Sequence, residues 1–241
     1  MTKNILNAAL VFVGAASVLT GCNFDQPEAP CFVQDHVSWV ARYDPVDDPK
    51  QADGSACTNV NGQKAPVAEL VGVFKFTDPD NLGKSLLTIR PAGLANRGTQ
   101  DPSPPSQQTA SGAFATEPDA NDFCAAPTMS QASVNTPTSG STAGTSITYE
   151  YKNMEVYAAA ATPGTQMRGE LKYTRDNCVS TYAVRALWPA LACDPTSATA
   201  CGPGTTGLNP DFAAECLQVG LNAQGRPTGY CVPAKAIPSL R

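Results

Sequence analysis

The chain has 241 residues, 42% of them hydrophobic, with 21 acidic side chains against 16 Lys and Arg. That length supports one domain with a substantial core. The charge balance is acidic and no basic cluster interrupts it, which excludes a nucleic-acid-binding surface from the expected functions.

The amino terminus has the pattern of an export signal. Lys3 precedes an apolar run at 5–19, which is shorter than the ~20 residues that a membrane-spanning helix needs. The run ends in Leu19-Thr20-Gly21-Cys22. This stretch resembles the signals of bacterial lipoprotein precursors, and the resemblance implies that residues 1–21 are removed and that Cys22 is acylated on its sulfur and new amino group. The alternative is an ordinary secretory peptide with a chance cysteine at its cleavage site.

Acylation at Cys22 would make the lipid bilayer the expected partner. Acyl chains contribute ~0.8 kcal/mol per buried methylene, and two or more chains hold a protein on a membrane stably. Residues 22–30 are a short tether containing Pro27 and Pro30, so we expect the body to lie close to the bilayer. Asn23 rather than Asp follows the acylated cysteine, which implies the outer membrane by resemblance to Gram-negative lipoprotein sorting; the face of that membrane stays open.

Eight cysteines remain when Cys22 is set aside. An even number in an exported chain predicts four disulfides, and their pairing is open. A metal cluster is the competing interpretation, but the chain has one histidine, His36, and no C-x-x-C pair, so no metal and no cofactor are expected. The disulfide candidates are Cys31, Cys57, Cys124, Cys178, Cys193, Cys201, Cys216 and Cys231.

The body is expected to be a single β-rich domain at 31–241. Alternating apolar residues predict its first strand at 31–43, with His36 on the polar side in contact with solvent. Residues 44–63 contain Pro, Gly and several acids, which predicts a solvated loop.

A second strand is expected at 67–76, forming a hairpin with 85–90. The turn between them, 78–83, is similar to the start of an EF-hand loop. Its fifth and twelfth positions are Leu82 and Ile89, which are not side-chain ligands, so we interpret it as a turn.

Residues 91–145 are rich in Pro, Ser, Thr, Gly and Ala and predict a long low-complexity loop, either mobile or functional. Cys124 is expected to join the middle of this loop to the body through a disulfide. A helical turn is expected at 117–126.

Three consecutive antiparallel strands are predicted at 146–189, joined by turns at 163–164 and 176–177. Each has one apolar face that must pack on the earlier strands. The predicted fold class is therefore mostly β, a small antiparallel β-sandwich or open barrel. Six aromatic side chains are expected in its core rather than in a sugar or peptide groove: Tyr149, Tyr151, Tyr157, Tyr173, Tyr182 and Trp188.

Residues 190–241 are Cys-rich and predict a disulfide-stapled lid on one end of the sandwich. Asn209 is suited to cap a short helix at 210–216. We expect two local bridges, Cys193–Cys201 and Cys216–Cys231.

No catalytic constellation is recognisable. Gly202–Gly207 matches G-x-G-x-x-G, but it lies beside Cys201 rather than between a strand and a helix. A Ser-His-Asp set could use only His36, and on a strand the adjacent Asp35 would point to the opposite face. A glycosidase needs only two carboxylates ~5–10 Å apart, which the many acids leave open.

Over its whole length the chain resembles the Cys-rich outer-membrane lipoproteins of myxobacteria, whose bodies are mostly β. Besides the lipobox, the resemblance rests on 173–178, 186–189, 209–212 and 230–233, and it brings no catalytic motif. The leading hypothesis is a lipid-anchored, non-enzymatic outer-membrane protein that acts as a structural or interaction module, with an envelope protein or a glycan as its partner. The alternatives are a surface binding module for glycan or peptide and, less favoured, a periplasmic hydrolase.

Overall fold

A computed structural model of the chain describes residues 30–57, 60–141, 143–160 and 162–241. The expected signal at 1–21, the acylated Cys22 and the tether up to residue 29 lie outside the described residues. The structure is 48% strand and 6% helix, which confirms the predicted mostly-β fold class.

The described strands form one large sheet and one small sheet. They are β1 His36–Pro45, β2 Lys50–Gln51, β3 Ala68–Thr77, β4 Ser85–Pro91, β5 Ala110–Phe114, β6 Phe123–Thr128, β7 Ala132–Thr136, β8 Thr145–Tyr157, β9 Gln166–Arg175, β10 Cys178–Leu187, β11 Ala192–Cys193, β12 Ala214–Leu221 and β13 Pro227–Pro233. Single helical turns occur at Val60–Gln63, Ala92–Ala95, Gly98–Gln100 and Pro105–Gln108.

The large sheet curls into a nearly closed antiparallel barrel. Its strand order is β5-β4-β3-β1-β10-β9-β8-β6, and β7 pairs with the first part of β8. The first and last strands meet at a seam, where the Ala115 amide donates to the Ala125 carbonyl oxygen at 2.9 Å and the Ser130 amide donates to that of Ser111 at 2.7 Å. These bonds pair backbone groups that an open sheet would leave at its edges.

The hairpins predicted from the sequence are confirmed. β3 pairs with β4, and β8, β9 and β10 pair in succession, with Tyr149 opposite Tyr173 and Leu171 opposite Tyr182. All four of these side chains are buried in the barrel interior, because the same alternation that predicted the strands sets their inward face.

A bulge in β8 changes this alternation partway along the strand. The register with β9 shifts between Lys152 and Glu155, and Asn153 has a φ of 49°. The extra residue reverses the phase of the strand, so Met154 and Val156 are buried in the interior although their numbers are even.

β1 begins at His36, five residues after the predicted start at 31. Residues 31–35 instead cross one end of the barrel, where the Gln34 amide donates to the Gly164 carbonyl oxygen at 2.8 Å and the Trp39 indole donates to the Gln34 carbonyl oxygen at 2.8 Å. We call this the amino-terminal end of the barrel. It also holds the connections 78–84, 115–122 and 158–165.

The prediction of a long loop at 91–145 is wrong, because this segment contains β5, β6 and β7. Its small residues suit the barrel seam, where backbones approach closely. A Cβ added to Gly112 would overlap the carbonyl oxygen of Thr128 on the facing segment. Ala110 and Ala132 are likewise buried without remaining exposed area. Composition therefore indicated a loop where the fold needs small side chains.

Two other expectations for this segment have different outcomes. The helical turn expected at 117–126 is wrong, since turns occupy its first part and β6 begins at Phe123. The disulfide from Cys124 to the body is present, and its partner is Cys31. A second long-range disulfide joins Cys57 to Cys178 at the other end of the barrel.

The carboxy-terminal segment packs on the outer face of the barrel, over β1, β3 and β10, so the predicted position on one end is wrong. β11, β13 and β12 form the small sheet in that order. Val40 and Leu187 point outward from the barrel and are buried against Phe212 and Val232. Without the carboxy-terminal segment these apolar side chains would be exposed to solvent, so the segment buries them.

The local predictions for this segment are also wrong. Asn209 Oδ1 accepts the Asp211 amide at 2.9 Å, but the chain then turns and enters β12 instead of a helix at 210–216. The disulfides are Cys193–Cys216 and Cys201–Cys231 rather than the two expected bridges. The Cys193–Cys216 bridge spans β13 beside Gly229, which pairs with Cys193 and has no side chain to separate the sulfurs.

Candidate functional site

Cys31, the second described residue after the expected acylation site, is held firmly at the amino-terminal end. Cys31 is 1% exposed, and its disulfide to Cys124 ties it to β6. Its amide donates to the Thr116 carbonyl oxygen at 2.8 Å, and its own carbonyl oxygen accepts from Lys75 Nζ at 2.7 Å. The expected acylation site at Cys22 is therefore only nine positions along the chain from a residue that is fixed in the barrel.

The barrel interior is filled by a tyrosine cluster. The rings of Tyr149 and Tyr173 lie 5.1 Å apart in an edge-to-face arrangement, and the Tyr43 and Tyr151 hydroxyls lie 3.0 Å apart. Tyr182 accepts a hydrogen bond from the Ala65 amide at 3.0 Å. The core position predicted for Tyr149, Tyr151, Tyr173 and Tyr182 is confirmed, so these rings are not a surface groove for sugar or peptide.

The two remaining aromatic residues of that prediction lie at the amino-terminal end. Tyr157 is partly buried and packs on Phe123, with 5.3 Å between ring centroids. Trp188 is partly buried against the main core.

One carboxyl group lies inside the aromatic interior, and the sequence analysis missed it. Glu69 is 8% exposed; its Oε1 accepts from the Tyr149 hydroxyl at 2.8 Å and its Oε2 accepts from the Gly93 amide at 2.8 Å. Burial raises the pKa of the Glu69 carboxyl, although these hydrogen bonds oppose the shift. Burial also raises the pKa of Tyr173 to about 12. One sequence signal could have found Glu69. It lies two residues before Val71 in the same strand, so the two side chains point to the same inward face.

A groove of about 360 Å³ lies on the outer face of the barrel, between β8–β10 and the chain after β13. Gly169 and Ala183 contribute its floor, and Ala236 and Ile237 form one wall. Charged and amide side chains complete it, namely Asn153, Glu155, Arg168, Glu170 and Arg185. The arrangement offers an apolar floor with polar groups at its rim, which is the usual composition of a small ligand site.

Arg168 is fully engaged at one side of this groove. Its Nε lies 2.6 Å from Glu155 Oε2, and its Nη1 donates to the Ile237 carbonyl oxygen at 3.1 Å. The guanidinium also lies 3.9 Å from the centre of the Phe123 ring. Glu170 is exposed and contacts Asn153 only at 3.4 Å, so it is the acid of the groove that a ligand could reach.

Arg185 connects the other side of the groove to the carboxy-terminal segment. It forms a two-nitrogen contact with Asp44 Oδ2 at 2.9 and 2.7 Å and donates to the Lys235 carbonyl oxygen at 2.9 Å. Arg42 also pairs with Asp44 and with Glu215 of β12. These contacts fix the wall of the groove to the barrel.

The single histidine, His36, lies at the amino-terminal end. It is exposed, which confirms its predicted position in contact with solvent. His36 Nδ1 accepts from the Ser38 amide at 3.0 Å, and the ring meets the edge of Trp188 at 6.1 Å. Asp35 Oδ1 accepts instead from the Lys75 amide at 2.7 Å. Asp35 and His36 therefore have separate partners and do not form an acid–histidine pair.

The other sequence motifs have structural roles in the described residues. Asp78 Oδ1 accepts the Asp80 amide at 2.9 Å within the β3–β4 turn, and Asp47 Oδ1 accepts the Thr181 amide at 2.6 Å. Gly202–Gly207 lies in a series of turns. Three sulfurs lie within 4.8 Å of one another, but all belong to disulfides and are not thiolate ligands: Cys193, Cys201 and Cys231.

Comparison with known proteins finds a matching family model and a similar protein. The model of a family described as MlpA matches residues 37–189. A Myxococcus xanthus protein, whose provisional name is lipoprotein MlpA, is 49% identical over 245 aligned residues that cover 100% of both chains. No solved structure matches the chain. Among the described residues, no helix combines the length and apolar character needed to cross a bilayer.

Proposed function

Because this chain belongs to the MlpA family of myxobacterial-type lipoproteins, we propose that its mature form is anchored in the outer membrane by acylated Cys22 and acts as a non-enzymatic structural or interaction module. The body at 31–241 is proposed to work as one unit. The observation that carries the proposal is the short covalent path from the lipobox cysteine to Cys31, which is fixed in the barrel end.

The disulfides support export to an oxidising compartment. The eight cysteines after Cys22 form four bridges with sequence separations of 93, 121, 23 and 30 residues. Disulfides persist in the periplasm and on the cell surface but are rare in a reducing cytosol. A barrel held in this way can present a fixed surface while its amino terminus is restrained by lipid.

The geometry favours a structural or interaction role over hydrolysis. The carboxyl of Glu69 is enclosed by tyrosines, and both of its oxygens are bonded. His36 is exposed and bonded to the backbone of Ser38. Neither group lines the groove, and of the two acids that do, Glu155 and Glu170, Glu155 is paired with Arg168 at 2.6 Å.

The anchor is tested by fractionation of the native host protein and two variants. Cys22→Ala should leave the chain without acyl chains, so the body should appear in the soluble fraction and incorporate no labelled palmitate. Asn23→Asp should keep the acylation and shift the protein to the inner membrane. Unchanged fractionation of Cys22→Ala would contradict the anchor, whereas unchanged fractionation of Asn23→Asp would contradict only the sorting assignment.

The outer groove supports a second candidate function, a binding module for glycan or peptide. Its volume and its mixed apolar and polar lining suit one or two ligand residues. Glu170→Arg should abolish binding to any glycan or peptide that an array identifies, because it reverses the reachable charge. Lys172→Ala, on the same face of β9 but outside the groove, is the matched control. Equal loss in both variants would contradict a groove site.

A further inference from the structure

The amino-terminal end of the barrel carries exposed apolar side chains. Leu82, in the β3–β4 turn, is 88% exposed, and Phe76, Val37 and Phe32 are 53%, 63% and 46% exposed. The described chain has three other exposed large hydrophobic residues: Val46 and Val67 lie next to the opposite ends of β1 and β3, and Leu221 lies on the small carboxy-terminal sheet. Exposed apolar side chains are therefore concentrated at the amino-terminal end rather than scattered singly over the whole surface.

Strand alternation explains how the patch arises. Val71 and Val73 of β3 point into the core, so Phe74 and Phe76 point outward, where their rings stack with centroids 6.0 Å apart. A Cβ added to Gly72 would lie 3.4 Å from the Phe74 ring and 3.8 Å from the Cα of Val37. The outer surfaces of β1 and β3 are thus continuous in this region, and Leu82 extends beyond them in the adjoining turn.

The length of the preceding chain limits which surface can meet the membrane. Eight residues lie between Cys22 and Cys31, and the nine residue steps from one to the other span at most about 32 Å even when fully extended. A body of this size is about 40 Å across. Because Cys31 is fixed at the amino-terminal end, an anchor at Cys22 holds that end nearer to the bilayer than the opposite end.

The charges around the patch indicate which lipid surface it fits. Lys75 and Lys84 lie near the patch, but Asp78 and Asp80 are in the same turn as Leu82. The adjacent connection 115–122 adds further acids. An acidic rim is repelled by anionic headgroups and tolerates zwitterionic ones.

We propose that the amino-terminal end of the barrel rests on the surface of a zwitterionic bilayer, with Leu82 and Phe76 inserted at headgroup depth. This inference depends on the proposed lipid anchor at Cys22. It adds a defined orientation, in which the outer groove and the carboxy-terminal sheet are held to the side of the barrel.

The test uses the full-length mature, acylated protein in phosphatidylcholine–phosphatidylethanolamine vesicles with brominated acyl chains, which quench tryptophan at membrane depth. Leu82→Trp and Phe76→Trp are compared with Val46→Trp, an apolar position that is 68% exposed at the opposite end of the barrel, next to the end of β1. Emission from the native tryptophans is subtracted using the unsubstituted protein. We expect loss of most of the added emission at positions 82 and 76, no loss at 46, and less quenching when anionic lipid replaces zwitterionic lipid.

The outcomes separate the orientation from the anchor. Protein that sediments with the vesicles but shows no quenching at 82 and 76, or the same quenching at 46, overturns the orientation and leaves the anchor intact. Equal or stronger quenching in anionic vesicles overturns the assignment of a zwitterionic surface. Acylated protein that does not sediment with vesicles overturns both proposals.

Discussion

Glu69 allows a sharp test of how the barrel interior is stabilised. Glu69→Ala removes the acceptors of the Tyr149 hydroxyl, which is buried, and of the Gly93 amide, which is partly buried. A buried donor left without a partner costs ~1–3 kcal/mol, so the two together predict a loss of ~2–6 kcal/mol in the free energy of unfolding. Glu69→Gln keeps one acceptor oxygen and should lose about half as much.

The pH dependence provides a second, independent measure of the same group. Burial raises the pKa of the folded-state Glu69 carboxyl above its unfolded value of ~4.3. Folding therefore favours the protonated form, and the stabilisation is complete below ~4.3 and is lost as pH rises through the raised folded-state pKa. The advantage of the unsubstituted protein over Glu69→Gln should accordingly shrink between pH 4 and neutral pH.

Guanidinium unfolding with intact disulfides, followed by far-ultraviolet circular dichroism at both pH values, measures these effects. Glu170→Ala, which removes an exposed acid from the outer face, is the control and should change the midpoint little. Equal stability of Glu69→Ala and Glu69→Gln would refute the hydrogen-bond argument. A constant difference between Glu69→Gln and the unsubstituted protein across the pH range would refute the burial argument.

The seam, the outer core and the disulfides give further expected outcomes. Gly112→Ala should cost ~1–3 kcal/mol because its Cβ meets a carbonyl oxygen of β6, while Gly220→Ala, with open space around it, should be nearly neutral in the same unfolding assay. Phe212→Ala should cost ~3–5 kcal/mol and expose the small sheet to limited proteolysis; unchanged protease resistance would count against the outer core. Removing the Cys201–Cys231 bridge should cost ~3–4 kcal/mol for its 30-residue separation, and non-reducing peptide mass spectrometry that finds another partner for Cys231 would contradict the pairing.

Local patterns were enough to predict most of the regular hairpins. In β8, β9 and β10, apolar and polar side chains alternate along the strand, and β3 and β4 are two apolar runs separated by turn residues. These signals act between residues close in sequence, so the sequence alone specifies the strands and their inward faces. The hydrophobic start and Cys22 likewise predict export and a lipid anchor without any knowledge of the fold.

Composition failed where small residues have a tertiary purpose. The segment 91–145 looks like a loop, yet Gly112 and Ala132 lie in strands because the seam leaves no room for larger side chains. Glu69 lies in an ordinary strand pattern, and only the approach of Tyr149 and Gly93 from distant segments makes it a buried acid.

The sequence by itself determined the mostly-β class, the main hairpins, the number of cysteines available for bridges and the expected anchor. Tertiary structure alone decided the closure of the barrel, the Cys193–Cys216 and Cys201–Cys231 pairing, the outer position of the carboxy-terminal sheet and the gathering of exposed apolar residues at one end. The physical reason is distance along the chain. Alternation and turn preferences act over a few residues, whereas these features depend on which faces and sulfurs come together from segments tens of residues apart.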